Sequence, residues 1–387
     1  CALPIFQGFG GGGLMSLAQA LIGEVVPPRQ RGHYQAYLAT VATTSAALGP
    51  VLGGYITEHF GWRAIFFVNG PLGLIAIALV FRLQKRPGNR QADWSFDSLG
   101  LFYFVAFIAP LLVALERVRH FDAGNFTLAV ALLVLSVGAF VLMLRQEKRA
   151  PAPLLPINLY RQPSIWRSNG MAFCNGAAVT ALFAFLPLYM RVSHGASPSQ
   201  VGLILLPVTI AIGVGSVITG RLITRTGRTM LFPSVGLIFA SLFLLVFAFL
   251  GRYMDIRQLL IVLCCASFFM GTVMSVVQVA VQTDAGRKAI GAAAGSVQFS
   301  RTVGAAFGVA SLNTVLFATL ALADPEGMSA FARTVDDGPG ALAGLDAARR
   351  VVLEGHFAAA FRNAFIMLAG FTVIGNILAI TNPSRRI

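Results

Sequence analysis

Eleven stretches of the chain, near residues 3–23, 35–57, 62–82, 99–116, 125–144, 168–190, 199–219, 230–250, 258–281, 290–320 and 357–381, carry almost no charge. A helix rises about 1.5 Å per residue, so roughly 20 such residues cross the ~30 Å hydrocarbon layer of a bilayer. The pattern predicts an all-α integral membrane protein with about eleven membrane-spanning helices. Composition agrees, because 56% of the 387 residues are hydrophobic and only 11% are charged, against about 25% in soluble domains. The stretch at 290–320 exceeds one span, and its first residues are predicted to extend beyond the apolar layer.

The net charge of +14 does not form one basic stripe, as a nucleic-acid partner would require, but sits in short clusters between the apolar stretches. These clusters read as topology signals. Alternating the spans puts 18 Lys and Arg on one side and 10 on the other, with Arg301 inside a span. The richer side is predicted to be cytoplasmic. The first stretch then runs from outside to inside, so the chain reads as part of a longer protein with an odd number of earlier spans. Three would make fourteen. The polar stretch 321–356 falls outside, with 341–353 expected as a surface helix.

The stretch Tyr34–Tyr55 places Ser45, Gly49 and Gly53 at four-residue intervals beside Pro50 and Gly54. Three small residues on one helical face let another helix come close, and Pro50 supplies a bend point. An internal comparison adds to this. Met15-Ser16-Leu17-Ala18-Gln19 matches Met274-Ser275-Val276-Val277-Gln278 as M-S-x-x-Q, and each is followed by a basic link and a helix carrying G-x3-G, at Gly49/Gly53 and Gly304/Gly308. Two helices repeated in one orientation suggest a parallel repeat, as in transporters built from two halves. The stretches 99–116 and 125–144 fit as two extra helices between six-helix halves.

Gly49-Pro50-Val51-Leu52-Gly53-Gly54 resembles the antiporter motif in the fifth helix of the major facilitator superfamily, specifically its fourteen-helix drug:proton antiporter branch. Gln7-Gly8 matches the fourth-helix signature, Pro27-Pro28-Arg29-Gln30-Arg31-Gly32 the link that follows, and Gly61-Trp62-Arg63-Ala64-Ile65-Phe66-Phe67-Val68-Asn69 the start of the sixth helix. The resemblance implies two pseudo-symmetric six-helix bundles plus two linking helices: residues 1–83 as the rest of the first bundle, 84–167 as the linking pair and 168–387 as the second bundle. It also implies a hinge at Gly49, Pro50, Gly53 and Gly54. Gly220-Arg221-Leu222-Ile223-Thr224-Arg225-Thr226-Gly227-Arg228 resembles the family's basic loop motif. Gly220 and Gly227 would permit a tight turn, while Arg221, Arg225 and Arg228 would bond helix carbonyls and acidic partners as a cytoplasmic latch. Two departures stand out: Pro4 occupies the place of the family's fourth-helix Arg, and the first helix, which carries a membrane-embedded acid in this branch, is not in the sequence.

Arg301 is the basic residue well inside a span, where a charge is costly enough to suggest function; Gln298 lies one turn before it. Gln19, Asn175, Gln278, Gln298 and Arg301 are therefore candidate residues of a substrate cavity, with Asn169 and Asn313 as further polar groups. The competing reading is structural, since polar side chains also tie membrane helices together at ~0.6–2 kcal/mol each. Phe173, Phe183, Phe185 and Tyr189 offer either an apolar substrate surface or ordinary packing. Glu24, Glu58 and Asp284 lie near helix ends as solvated or latch carboxylates.

Enzymatic readings find little support. Cys174, Cys264 and Cys265 lie in apolar stretches and Cys1 at the extreme end, while five histidines are scattered without metal or dyad spacing. The run Gly10-Gly11-Gly12-Gly13 lacks the strand and Lys-Ser/Thr of a phosphate-binding loop. No cofactor is expected. The leading expectation is a secondary transporter of the bacterial cytoplasmic membrane, exporting lipophilic or cationic drugs in exchange for protons by alternating access. Its partners are then the lipid bilayer, the substrate and protons, with any periplasmic adaptor unspecified. Export of a specific metabolite, peptide or sugar, or a non-transporting sensor or scaffold with the same fold, remain as alternatives.

Overall fold

The structure is a computed structural model describing residues 2–82, 97–117, 123–150, 157–286, 289–324, 327, 330–331, 334 and 346–385. Twelve α-helices make up these residues: α1 (Ala2–Val25), α2 (Pro28–Phe60), α3 (Ala64–Arg82), α4 (Ser98–Arg117), α5 (Ala123–Glu147), the single turn α6 (Ile157–Tyr160), α7 (Pro163–His194), α8 (Pro198–Thr226), α9 (Leu231–Leu250), α10 (Ile256–Ala285), α11 (Ile290–Ala323) and α12 (Ala347–Thr381). Each of the eleven apolar stretches lies on one long helix. Among the described residues, eight helices are long and apolar enough to cross a membrane.

Local sequence sets the helix ends. Ser197 Oγ accepts from Gln200 N–H at 3.3 Å and Gln200 Oε1 accepts from Ser197 N–H at 2.9 Å, a reciprocal cap that starts α8 with Pro198 in its first turn. Asp255 and Gln258 repeat the device at α10, with bonds of 2.8 and 3.2 Å. At its far end α8 stops at Gly227, whose φ of +68° is a left-handed turn that strains other residues, and whose N–H reaches Ile223 O at 2.8 Å.

Helices α7–α12 form one bundle with α7 and α10 at its centre. Here α11 crosses α7, α8 crosses α10, and α12 fills the space between α7 and α9. The α7–α11 crossing is a backbone contact: a Cβ on Gly304 or Gly308 would strike the main chain of Phe173 or Ala177, and one on Gly176 that of Arg301. Aromatic packing closes the far end, where Tyr189 meets Phe247 at 5.1 Å, Phe361 at 5.2 Å and Phe365 at 5.5 Å, edge to face. The outward sides of α9 and α12 expose Ile238, Leu242, Ile374 and Ile377, as lipid-facing surfaces do.

Two pairs of interior hydroxyls tie the bundle's helices together. Ser216 Oγ and Ser275 Oγ hydrogen-bond at 2.5 Å between α8 and α10, and Ser241 Oγ and Thr372 Oγ1 at 2.8 Å between α9 and α12. Helices α4 and α5 form a separate hairpin, tied by Ser136 Oγ to Phe107 O at 2.8 Å. The hairpin leans on the bundle through Phe104 against Phe299 of α11 at 5.2 Å. The other unit, α1–α3, docks through α1 on α11 and α2 on α8, while α3 buries no residue.

The stretch expected as a surface helix, 341–353, resolves differently. Its residues 347–353 are the opening turns of α12, and 341–345 lie outside the described residues. Nothing from Ala347 onward breaks a helix as proline would, and Arg350 Nε donates to Glu354 Oε1 at 2.9 Å one turn later. This opening is clasped to the end of α11. Asp324 meets Arg349 Nη2 at 2.6 Å and His356 Nδ1 at 3.8 Å, and accepts the Gly327 N–H at 3.0 Å. Desolvation pushes the Asp324 carboxyl up, but the Arg349 and Gly327 hydrogen bonds and the neighbouring positive charges outweigh it, so its pKa is held below the ordinary carboxylate value. A depressed folded pKa gives a contribution that is complete above the ordinary carboxylate range, near pH ~4, and lost as pH falls through the lower folded value. Amide exchange at residues 347–353 is therefore expected to rise on acidification below that range. Asp324→Asn is expected to show the faster exchange already at neutral pH and no such acid dependence.

Candidate functional site

The two units meet at one end, and it is the basic one. Helix α2 starts there and α8 ends there, so the pair runs antiparallel with Gly32 against Gly220. A Cβ on Gly32 would stand 2.9 Å from Gly220 O, and one on Gly220 would strike Gly32 O and lie 2.8 Å from the Ala36 Cβ. Only glycines allow this approach, which lets the two backbones touch.

A second contact lies beside the first. Gln282 Nε2 of α10 donates to Gln19 O of α1 at 2.8 Å, and a Cβ on Gly23 would strike Ile290 at the start of α11 and stand 3.1 Å from Gln282 Oε1. The extra length of α11 is used here, since Ile290 in its first turn packs against α1. The repeated M-S-x-x-Q helices thus meet in space at the same end. A crevice of about 270 Å³ opens there, lined by Glu24, Arg31, Gln282 and Thr283 among others. Arg31 is buried and its Nε donates to Val26 O at 3.0 Å, bracing the link between α1 and α2.

Higher along α2 the contact with α8 loosens into a side groove of about 280 Å³ lined by Thr40, Thr44, Ile210, Gly213, Val217 and Arg221. Beyond it, a Cβ on Gly49 or on Gly53 would meet nothing within 4 Å. The expected close helix approach on this face is therefore not made among the described residues. Helix α2 runs through Pro50 and Gly54 without interruption. The counterpart pair Gly304/Gly308 does make such an approach, against α7. Among the described residues, α2 makes its close backbone approach at Gly32 instead.

The predicted cavity residues do not form one cluster. Asn175 Nδ2 donates to Met270 O at 2.9 Å and ties α7 to α10, which is the structural role. Gln19 lies at the α1–α10 contact. Gln278, 1% exposed, sits one turn above Gln282, and neither its Oε1 nor its Nε2 has a hydrogen-bond partner in the protein. Gln298 Oε1 and Arg301 Nε are also buried without a partner, on α11. Among the described residues no hydrogen bond joins Gln298 or Arg301 to Gln19, Gln278 or Asn175. Phe185 and Tyr189 belong to the packed bundle core, not to a substrate surface.

The basic loop divides similarly. Gly220 makes the helix contact and Gly227 the turn, but Arg221, Arg225 and Arg228 are exposed. Among the described residues no carboxylate lies within 4.0 Å of them. The expected acidic latch partners are absent there, and the closure is steric and backbone-driven. Sequence reasoning missed Gly32 and Gln282. Both left a trace: Gln282 is four residues after Gln278 on one face of α10, and Gly32 closes the Pro27–Gly32 link.

A family model described as Major Facilitator Superfamily matches residues 1–309. The chain belongs to the major facilitator superfamily. An uncharacterized MFS-type transporter of Mycobacterium tuberculosis (strain ATCC 25618 / H37Rv) is 29% identical over 378 residues, covering 97% of this chain and 55% of the relative. The multidrug transporter protein MdtP of Bacillus subtilis (strain 168) is 27% identical over 316 residues, covering 80% of this chain and 57% of the relative. Multidrug resistance protein 3 of the same strain is 26% identical over 315 residues, covering 80% and 60%. The chain thus spans between half and two thirds of the length of these relatives. The all-helical bundle is consistent with this membership.

Gly220→Leu tests the glycine contact. It is expected to lower thermal stability by about 1–3 kcal/mol through overpacking and to speed amide exchange at 28–36. Gly202→Leu, on the same helix with nothing within 4 Å of its Cβ, is expected to change neither.

Proposed function

We propose that this protein is a secondary active transporter of the drug:proton antiporter branch, moving lipophilic or cationic compounds out of a bacterial cell in exchange for protons. The observation that carries the reading is the one-ended closure. Helices α1 and α2 meet the α7–α12 bundle at Gly23, Gly32 and Gln282, all at the basic end, while the other half of α2 carries Gly49 and Gly53 uncovered within this chain. Two rigid units joined at one end and apart at the other form one limit of a rocking pair. The basic end is then the cytoplasmic one, in the bacterial cytoplasmic membrane.

In this reading the glycine crossing separates when the units rock, and the buried groups without partners supply polarity to the path. Gln278 and Arg301 are proposed for that role: each has a buried side-chain nitrogen or oxygen without a protein partner, and such a group costs about 1–3 kcal/mol. The multidrug names of two relatives favour a broad lipophilic substrate range. Gly49, Pro50, Gly53 and Gly54 are proposed as the contact for a helix equivalent to α7 in the other half, by the internal repeat with Gly304 and Gly308.

The test is substrate-driven proton movement in vesicles holding the full-length protein, with ethidium as the lipophilic cation and an internal pH dye as the readout. Arg301→Ala is expected to lower the coupled flux about tenfold, the effect of roughly 1.4 kcal/mol, with membrane insertion unchanged. Gly53→Leu is expected to abolish exchange before it impairs insertion. Unchanged flux in both variants would overturn the residue roles, and no proton movement by the unmodified protein would overturn the antiport reading.

A further inference from the structure

A groove of about 390 Å³ lies at the basic end on the far side of the bundle, between the start of α9 and the end of α12. Arg228, Met230, Leu231, Ser234, Ala379, Ile380 and Arg385 line it. None of these residues takes part in the contact between α1–α2 and the bundle. We propose that this groove binds the phosphate headgroup of an anionic phospholipid from the basic leaflet.

The two arginines come from distant parts of the chain and are brought together by the loop. The Thr229 N–H donates to Arg385 O at 3.2 Å and Thr229 Oγ1 to Ser384 O at 2.5 Å, so the segment after α12 is pinned beside Arg228. Asn382 holds the same segment from the other side, its Nδ2 donating to Ser164 O at 3.2 Å and Ser168 Oγ at 3.0 Å. Both arginines are exposed, and among the described residues neither pairs with a carboxylate. Asp284, on α10, accepts from Ser384 Oγ at 3.3 Å. Two guanidinium groups held in a fixed groove match a phosphate, which accepts paired N–H bonds.

The start of α9 adds to the field. Met230 provides no side-chain cap and the first turn holds no acid, so the positive end of the helix dipole and the Leu231 and Phe232 N–H groups remain for an anion. The walls decide between a free anion and a lipid. Leu231 is 46% and Ile380 51% exposed, on faces of α9 and α12 that continue into exposed Val235, Ile238, Ile377 and Ile374. A headgroup seated between the arginines would lay its acyl chains on this apolar surface. A soluble phosphate has no use for it.

The experiment is native mass spectrometry of the full-length protein released from mixed phosphatidylglycerol and phosphatidylcholine micelles, counting retained phosphatidylglycerol. Arg228→Gln with Arg385→Gln is expected to reduce retention about fivefold for each guanidinium removed. Ser234→Leu, which fills the groove and leaves both charges, is expected to reduce it as well with an unchanged melting temperature. Arg82→Gln with Arg145→Gln, basic residues of the same end outside the groove, is expected to leave retention unchanged. Equal loss in that control pair would mean only general attraction to the anionic leaflet and would overturn the site. Retention unaffected by Ser234→Leu, or displacement by millimolar inorganic phosphate, would overturn the lipid assignment.

Discussion

Two backbones touching at Gly32 and Gly220 decide how the units of this protein sit against each other. In a bilayer, apolar side chains gain nothing by leaving lipid for another apolar surface, so close packing and hydrogen bonds must supply the association. Glycine provides both, since it lets helices approach and exposes carbonyls to weak Cα–H contacts. The neighbouring Gln282 to Gln19 bond adds a directional tie with no charge to bury. On the α1–α2 side α3 buries no described residue, and a Cβ on Gly49 or Gly53 in the outer half of α2 would meet nothing within 4 Å.

The α7–α12 bundle is built differently. Its crossings at Gly176, Gly304 and Gly308 are as close, but serine and threonine pairs and an aromatic cluster around Tyr189 add to them. That contrast suits a machine in which one body stays rigid while a second moves on it. A joint made of glycine contacts and one amide bond can open without leaving a buried charge unpaired, whereas the bundle core cannot open without exposing many paired groups. Gln278 and Arg301 sit inside this bundle with buried side-chain atoms that pair with no described protein group.

Much of this was legible in the residues. The eleven apolar stretches became helices because span length and absence of charge leave a membrane chain few alternatives; the caps at Ser197 and Asp255 emerged only in the structure. The repeat of Met15–Gln19 in Met274–Gln278 suggested two related halves but not that these two helices touch, as they do at Gln19 and Gln282. What failed was the assignment of contacts to particular small residues. A G-x3-G face states that something can approach, not which helix does, and in α2 the face at Gly49 and Gly53 has no neighbour here while a lone glycine at 32 does. The arginines of the basic loop misled for a similar reason, because charge pattern cannot say whether an acid is within reach. Asn175 was read as a cavity residue, yet a carbonyl one helix away, at Met270, satisfies it.

The central claim is that the α2–α8 crossing at the basic end is a joint that must open for transport. Thr40 of α2 and Val217 of α8 both line the side groove next to this crossing. Bridging full-length Thr40→Cys, Val217→Cys protein in vesicles with a short bis-methanethiosulfonate reagent, which leaves both glycines in place, tests the claim most directly. The account predicts an intramolecular crosslink that stops ethidium export and whose reduction restores it. Full export with the crosslink in place would contradict the account.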